Sequence, residues 1–200
     1  MATDAGSARQ QQLLAAAYEW VGHHGWAGMS LRPLAEAIGS SPRVLLFLFG
    51  TKDGLIRALL TRSRADQLAV LDGLGGRPGT GETPVGLAEV GVRVWQWLSD
   101  PEHRSMLRLW LEAYSRSVGD EPDGPWSDFA AGTVHDWDEL LAGYQPPDRR
   151  HAADGAAERT LLLAVLRGAL LDLLATDARG RLDQAVRLHI AQLHHAPTTS

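Results

Sequence analysis

The sequence predicts an all-α protein with about nine helices, three of them in an N-terminal helix-turn-helix domain and the rest in a helical bundle. Two observations support this class. Apolar residues recur along most of the chain at the spacing of amphipathic helices. In addition, residues 30–55 contain two short helical patterns that are joined by a glycine-bearing turn.

The segment at residues 30–55, SLRPLAEAIGSSPRVLLFLFGTKDGL, carries the helix-turn-helix pattern. Ser30 is suited to cap the first helix, because a serine hydroxyl can accept a hydrogen bond from a first-turn amide. Gly39 is suited to end that helix in the left-handed conformation. Pro42 opens a second short helix, and the second helix of such a pair lies in a DNA major groove. The apolar face of this second helix would consist of Leu45, Leu46 and Phe49. Any two packed helices joined by Gly-Ser-Ser would give a similar pattern, so a plain helical hairpin is the alternative.

The order of residues from Leu13 to Leu60 resembles the N-terminal domain of the TetR family of transcriptional regulators. A family-like sequence has an apolar helix ending in glycine, then Thr/Ser, Arg, Ile/Leu-Ala-x-x-Ala-Gly-Val-Ser, Leu-Tyr-x-His-Phe and Ser-Lys-Glu-x-Leu. The corresponding segments are Leu13 to Gly25, Ser30, Arg32, LAEAIGSS at 34–41, LLFLF at 45–49 and TKDGL at 51–55. The resemblance needs no gap and implies a DNA-binding domain at residues 1–56. Residues 57–200 would then form an effector-binding and dimerisation domain.

The resemblance also implies which side chains contact DNA. Arg32 can reach a guanine edge or a phosphate, because its planar fork matches paired acceptors. Lys52, the only lysine in the chain, matches the family's phosphate-clamping lysine. The predicted DNA-binding residues are Arg32, Ser41, Pro42, Arg43, Val44, Phe47, Thr51 and Lys52. Taken alone, Arg32 or Arg43 would equally suit a solvated surface.

Two positions depart from the family pattern. Leu46 and Leu48 stand where the family has Tyr and His, whose side chains usually hydrogen-bond phosphates. Phosphate contacts supply much of the affinity for DNA and fix the register of the protein on it. The sequence therefore predicts weaker or differently anchored operator binding, with loss of DNA binding as the alternative.

Composition and charge limit the remaining classes of function. The chain has 200 residues, no cysteine and a net charge of −5, which argues against a protein that coats nucleic acid. Residues 1–66 carry seven basic and five acidic residues, so the positive charge is on the helix-turn-helix half. The N-terminus lacks a signal-peptide pattern, and the longest apolar stretch, 161–175, is too short to span a bilayer. We therefore expect a cytoplasmic protein whose first eight residues are disordered.

Five of the seven tryptophans lie between residues 95 and 137. TetR relatives hold an inducer among their middle helices, so the resemblance implies an aromatic-lined pocket for a small, flat or apolar effector. The predicted ligand-binding residues are Trp97, His103, Leu107, Trp110, Tyr114, Phe129, Thr133 and Trp137. Alternatively, these aromatic rings simply fill the core.

The helix predicted at residues 152–175 is apolar on more than one side and must be covered all round. Pairing with a second copy would cover it, together with the last helix at residues 182–195. TetR relatives dimerise through this pair of helices, which supports a four-helix interface. The predicted interface residues are Leu162, Leu166, Ala169, Leu170, Val186, Ile190 and Leu193. An ordinary central core helix is the alternative.

Catalysis has little support, since the sequence contains no HExxH or GxSxG motif and no paired carboxylates in a supporting context. No catalytic residue, metal site or cofactor is predicted. The sequence favours a homodimeric TetR-like regulator, a repressor that a small-molecule effector releases from a palindromic operator; activation is not excluded. The alternatives are a helical small-molecule-binding protein with weakened or lost DNA binding and a helical-bundle enzyme.

Overall fold

The computed structural model describes residues 2–27, 29–72 and 85–193. Within these ranges the chain forms ten α-helices, one 3₁₀ turn and no strand, which confirms the predicted all-α class. The helices are α1 (Ala2–His24), α2 (Leu31–Ala37), α3 (Pro42–Phe49), α4 (Lys52–Asp72), α5 (Leu87–Leu98), α6 (Arg104–Val118), α7 (Phe129–Ala142), α8 (Pro147–Arg150), α9 (Ala153–Thr176) and α10 (Arg179–Leu193), with the 3₁₀ turn at Pro101–His103. None of the described helices combines the length and apolar character needed to cross a bilayer.

Three element boundaries differ from the predicted ones. Helix α1 begins at Ala2, so the expectation of disorder over residues 2–8 is wrong; the three alanines of this segment favour helix. The sequence predicts a helix start at Ser127, but helix α7 begins at Phe129, because Asp128 has the left-handed φ of 65°. The four-residue helix α8 was not predicted, since it is shorter than the window in which periodicity can be recognised.

The chain forms two compact units. The first unit comprises residues up to 67 together with 105–132, and the second comprises 68–104 together with 133 onward. The predicted domain boundary at residue 56 stays a prediction. In the first unit, α1, α2, α3 and α4 bury one apolar side each, through the core side chains Leu13, Ala17, Val21, Leu34, Leu45, Leu55 and Leu59.

The second unit is built on α5, α9 and α10, which pack against one another. Gly91 of α5 permits this close packing, because a Cβ at that position would lie 3.2 Å from Leu162 and 3.4 Å from Ile190. The most deeply buried side chains of this unit are Val90, Val94, Leu141, Leu162, Leu166, Leu170 and Val186. One side of α9 is therefore fully covered within a single protomer.

A buried polar network ties α7, α8 and α9 together in the second unit. Arg159 is buried, and its guanidinium donates to both carboxylate oxygens of Asp138, at 2.8 and 3.1 Å. The same guanidinium donates to the Gln145 side-chain oxygen at 2.6 Å and to the Arg150 carbonyl at 3.2 Å. Gln145 in turn donates to the Gly155 carbonyl and to Glu158. Because each of these groups has a partner, the network fixes the start of α9 and avoids an unpaired buried charge.

Candidate nucleic-acid interface

Helices α2 and α3 form the helix-turn-helix that the sequence predicts. Helix α2 ends at Ala37, and Gly39 adopts the left-handed φ of 64° that turns the chain toward α3. The hydroxyl of Ser41, which caps α3, accepts a hydrogen bond from the Val44 amide at 3.3 Å. Ser30 precedes α2, but its side chain makes no hydrogen bond to the first turn of that helix, so the predicted cap is absent. Leu34 and Leu45 are fully buried, so each helix presents its opposite side outward.

The outward side of α3 carries the side chains predicted to contact DNA. Arg43 is exposed, Val44 is 38% exposed and Phe47 is 85% exposed. Ser41 and Pro42 are half-buried where α3 begins, and Arg32 of α2 is exposed. An exposed Arg43 beside an exposed Phe47 is the arrangement that a DNA-reading helix requires.

The apolar face predicted for α3 is correct in only one of three positions. Leu45 is fully buried, but Phe49 is half-buried and Leu46 is 40% exposed. The reason is geometric, because adjacent residues of an α-helix point about 100° apart and Leu46 cannot share the face of Leu45. Consequently, Leu46 contributes to the exposed apolar surface of α3.

Lys52 lies in the first turn of α4, close in sequence to the end of α3. The Thr51 hydroxyl caps this helix by accepting a hydrogen bond from the Gly54 amide at 2.9 Å, as the preference of threonine for this position leads one to expect. Thr51 and Lys52 are both exposed. A Cβ on Gly54 would lie 2.1 Å from the Phe49 carbonyl oxygen, so only glycine permits this approach of α4 to α3. The junction therefore places Lys52 at a fixed position relative to α3.

The two departures from the family pattern have different environments. Leu46 is exposed and offers no hydrogen-bonding group at the position where the family has Tyr. Leu48 is half-buried, and its backbone carbonyl accepts a hydrogen bond from the Gln10 side chain at 2.8 Å. This bond anchors α3 to α1 without supplying a contact to phosphate. Neither side chain can replace the polar groups that the family uses there.

The family comparison agrees with this geometry, because residues 13–59 match the model that describes bacterial regulatory proteins of the tetR family. Over these residues the chain is similar to the TetR family. The matched residues include α2 and α3, with the exposed Arg32, Arg43 and Lys52. The model describes that family as one of bacterial regulatory proteins.

Solved structures with the same fold span nearly the whole chain. A transcriptional regulator from Rhodococcus sp. Rha1 is 20% identical, with a TM-score of 0.72 over 92% of this chain and 94% of its own. A TetR transcription regulator from Haloarcula marismortui ATCC 43049 is 16% identical, with a TM-score of 0.70 over 93% and 96%. The multidrug binding protein EbrR complexed with imidazole is 25% identical, with a TM-score of 0.69 over 96% and 92%. No curated protein matches the sequence.

The eight residues predicted to bind an effector are divided equally between the two compact units. Leu107, Trp110, Tyr114 and Phe129 lie in the first unit, and Trp97, His103, Thr133 and Trp137 lie in the second. The Trp110 and Tyr114 rings are 5.1 Å apart, while Trp97 and His103 stack at 4.4 Å. His103 Nδ1 also lies 2.8 Å from the Trp97 carbonyl oxygen. These contacts are local, and the shared effector site stays a prediction.

One further side chain of the first unit, Gln67, belongs beside that set and shares a feature with Trp110. Gln67 of α4 and Trp110 of α6 are both buried. Among the described residues, neither the Gln67 side-chain nitrogen nor Trp110 Nε1 has a hydrogen-bond acceptor. A buried donor without an acceptor is costly, so these two N–H groups are suited to a ligand that brings one. Sequence reasoning missed Gln67, because a glutamine within a helix gives no signal of whether it is buried.

The residues predicted to form the dimer interface lie mostly inside the protomer. Leu162, Leu166, Ala169, Leu170, Val186 and Ile190 are buried within the single chain, and Leu193 is half-buried. The physical reason is that α9 is apolar on two sides, and the side containing these residues packs in the core with α5 and α10. The exposed side of the same two helices carries Leu161, Ala164, Gly168, Leu171, Ala175, Ala185 and Leu188.

Proposed function

We propose that this protein is a TetR-family transcriptional regulator, a homodimeric repressor that binds palindromic operator DNA in the cytoplasm. A small, largely apolar or aromatic effector would release it. The observation that carries the proposal is the joint exposure of Arg43 and Phe47 on α3, with Lys52 in the first turn of α4. A helix with an exposed arginine suits base recognition in the major groove, and a lysine beside it suits a phosphate.

Dimerisation through α9 and α10 is supported by the exposed apolar side of these helices. Leu161, Leu171 and Leu188 are large apolar side chains that face outward, and Leu188 is 69% exposed. Ala164 and Gly168 lie between the two leucines of α9 and would let a second helix approach closely. A second copy of the chain would bury these residues in a four-helix interface. Each protomer would then supply one reading helix, with the two half-sites about 34–36 Å apart or at a multiple of that spacing.

Effector binding is supported by the buried aromatic side chains and the two unpartnered donors of the first unit. Trp110 supplies both an aromatic ring and a free N–H group, and Gln67 supplies a second N–H group. EbrR, which has the same fold, was crystallised with imidazole and with ethidium. We extend small-molecule binding to this chain from that similarity. An effector releases DNA only if it binds the DNA-incompetent state more tightly than the DNA-bound state.

The proposal is tested by measuring the affinity of the purified protein for the promoter region of its own gene. We expect specific binding that is strongly weakened in the double variant Arg43→Ala/Lys52→Ala. Arg187→Ala, which removes an exposed charge from α10, is the matched control and should bind as the wild type does. Equal affinity of the wild type and the double variant would contradict the assignment of α3 as the reading helix.

The second candidate function is a helical small-molecule-binding protein that has lost DNA binding. The apolar Leu46 and Leu48, in place of hydrogen-bonding side chains, favour it. Selection of genomic fragments at about 50 mM salt separates the two functions, since low salt strengthens every phosphate contact. No enrichment of any fragment, combined with a thermal shift on adding small aromatic molecules, would favour this second function.

A further inference from the structure

We infer that α3 recognises its operator mainly through the 5-methyl groups of thymine, with Arg43 as the only side chain of that helix that hydrogen-bonds a base edge. This inference rests on the proposed binding of DNA. It goes further by naming the chemical groups of the operator that determine specificity.

The composition of the helix is the first observation. Seven of the eight residues of α3, PRVLLFLF, are apolar, and Arg43 is the exception. Three of the apolar side chains, Val44, Leu46 and Phe47, are exposed. The neighbouring Ser41 hydroxyl is engaged by the Val44 amide. The surface that would enter the groove is therefore apolar at all but one position of the helix.

The chemistry of the major groove determines what such a surface can recognise. Thymine presents a methyl group there, while guanine, cytosine and adenine present hydrogen-bonding groups at the equivalent edges. An apolar side chain placed against a polar edge removes water from it without supplying a partner, which is unfavourable. Against a thymine methyl, the same side chain buries apolar area from both partners. Apolar residues on α3 therefore favour thymine wherever they meet a base.

The surroundings of the apolar surface support DNA over a protein partner. Arg43 lies on the same helix, Arg32 is exposed on α2, and Lys52 is exposed at the start of α4. Arg43 is available to a base edge, while Arg32 and Lys52 lie on the elements before and after α3 and would pair with phosphates of the duplex. An apolar protein partner would leave the three charges without a counterpart.

The spacing of the side chains indicates which base pairs are read. Val44 and Phe47 are three residues apart in α3, so they lie on one side of the helix about 5–6 Å from each other. Successive base pairs rise about 3.4 Å along the duplex. The two side chains would therefore contact methyl groups that are one or two base pairs apart. Leu46 points in another direction, toward the position that the family's Tyr would take.

The test uses duplexes selected from a library with a random 30-base-pair centre, amplified with ordinary thymidine. The enriched duplex is then synthesised with deoxyuridine in place of thymidine at each position in turn, which deletes one methyl group and leaves base pairing intact. We expect about fourfold weaker binding for each methyl group removed from contact, and about fifteenfold when both half-sites lose it. A second pair of duplexes carries 5-methylcytosine or cytosine, each paired with guanine, in place of a contacted thymine. The protein should bind the 5-methylcytosine duplex more tightly than the cytosine duplex.

Matched variants connect the effect to Phe47. For Phe47→Ala, the difference in affinity between thymidine and deoxyuridine duplexes should disappear at one position of the operator. It should persist at the other positions. Val118→Ala removes an apolar side chain of similar exposure from α6, and this control should keep every difference. Because Phe47 is 85% exposed, the melting temperature of Phe47→Ala should equal that of the wild type.

The outcomes separate the inference from the proposed function. Equal affinity for thymidine and deoxyuridine duplexes at every position would overturn methyl recognition while leaving DNA binding intact. If Phe47→Ala kept all the differences, recognition by this side chain would be wrong. Failure to enrich any duplex from the library would instead contradict the proposed binding of DNA.

Discussion

Two exposed apolar surfaces of this chain differ in what surrounds them. The surface of α3 is formed by Val44, Leu46 and Phe47, and charged side chains of the helix-turn-helix segment accompany it. The surface of α9 and α10 is formed by Leu161, Leu171 and Leu188 and is interrupted by small residues. Both surfaces lie on helices whose opposite side is fully buried, so burial alone does not distinguish their partners.

The neighbouring residues distinguish them. Cations beside the surface of α3 suit a partner lined with phosphates, as DNA is. Ala164, Gly168 and Ala175 on α9 suit the close approach of another helix, because small side chains allow backbones to come together. The comparison shows that the residues around an exposed apolar surface indicate which kind of partner covers it. The predictions below test this distinction, from the largest expected effect to the smallest.

The largest effect is expected from the double variant Leu171→Arg/Leu188→Arg. Two buried charges at the centre of an apolar interface would separate the protomers, and losing the second reading helix should weaken operator binding about 10²- to 10⁴-fold. Light scattering coupled to size exclusion gives the oligomeric state, and fluorescence anisotropy gives the affinity. Val118→Arg, an equally drastic change of an exposed residue on α6, should leave both unchanged. A variant that stayed dimeric would place the interface elsewhere.

The second effect concerns the network that fixes the start of α9. Asp138→Ala leaves the buried Arg159 without its carboxylate partner. We expect a loss of about 2–3 kcal/mol in the free energy of unfolding. Breaking a fully buried ion pair typically costs about 3–5 kcal/mol. The expected loss is smaller here because the Asp138 side chain is about one-third exposed. Urea denaturation measures it. His135→Ala on the same helix, whose side chain is exposed, is the control and should cost much less.

A third prediction concerns the junction between α3 and α4. Gly54→Ala forces a Cβ against the Phe49 carbonyl oxygen, and the backbone must shift to relieve the clash. Overpacking of this kind costs about 1–3 kcal/mol, and the displaced Lys52 should weaken DNA binding. Gly22→Ala on α1, where an added Cβ meets no atom within 4 Å, provides the comparison. If Gly54→Ala bound DNA as tightly as the wild type, the junction would not position Lys52.

The salt dependence of DNA binding should be shallow. Arg32, Arg43 and Lys52 give a dimer six cations at the DNA surface, and Leu46 and Leu48 add no phosphate contact. A plot of log affinity against log salt concentration should therefore have a slope of about −5 or shallower. A slope near −10, as for proteins with many phosphate contacts, would show that other residues hold the backbone.

The smallest effect is expected from Tyr18 of α1. Burial raises the pKa of the Tyr18 phenol, and the Asp66 carboxylate acts in the same direction. The folded state thus favours the neutral phenol. This preference stabilises the protein at any pH below the ordinary pKa of tyrosine, about 10. The stabilisation is lost as the pH rises through the raised pKa of Tyr18 in the folded state. Urea unfolding at pH 9 and pH 11 measures it. The Tyr18→Phe variant should lose less stability over this interval than the wild type, and an equal loss would contradict the assignment.

The helix-turn-helix was predictable because its signals are local. Gly39, Pro42 and Thr51 are restricted by backbone geometry or capping chemistry, and each acts as the sequence suggested. Residues 194–200 lie outside the described residues, as do residues 73–84 of the segment 73–86, whose glycines and prolines predict a flexible loop. The direction in which the side chains of α9 point was not predictable, because a helix that is apolar on two sides gives no indication of which side faces its own core. Leu46 is a different case, because the 100° between adjacent helical residues already separates it from the face of Leu45.

The most direct test of the account is the ratio of affinities for a selected operator duplex and a scrambled duplex of the same composition. The account predicts a ratio of about a thousandfold or more for the wild-type dimer. In Arg43→Ala the ratio should fall by about tenfold to a hundredfold, because one base-reading arginine is lost from each protomer. Equal affinity for the two duplexes, or an unchanged ratio in Arg43→Ala, would contradict the claim that α3 reads DNA.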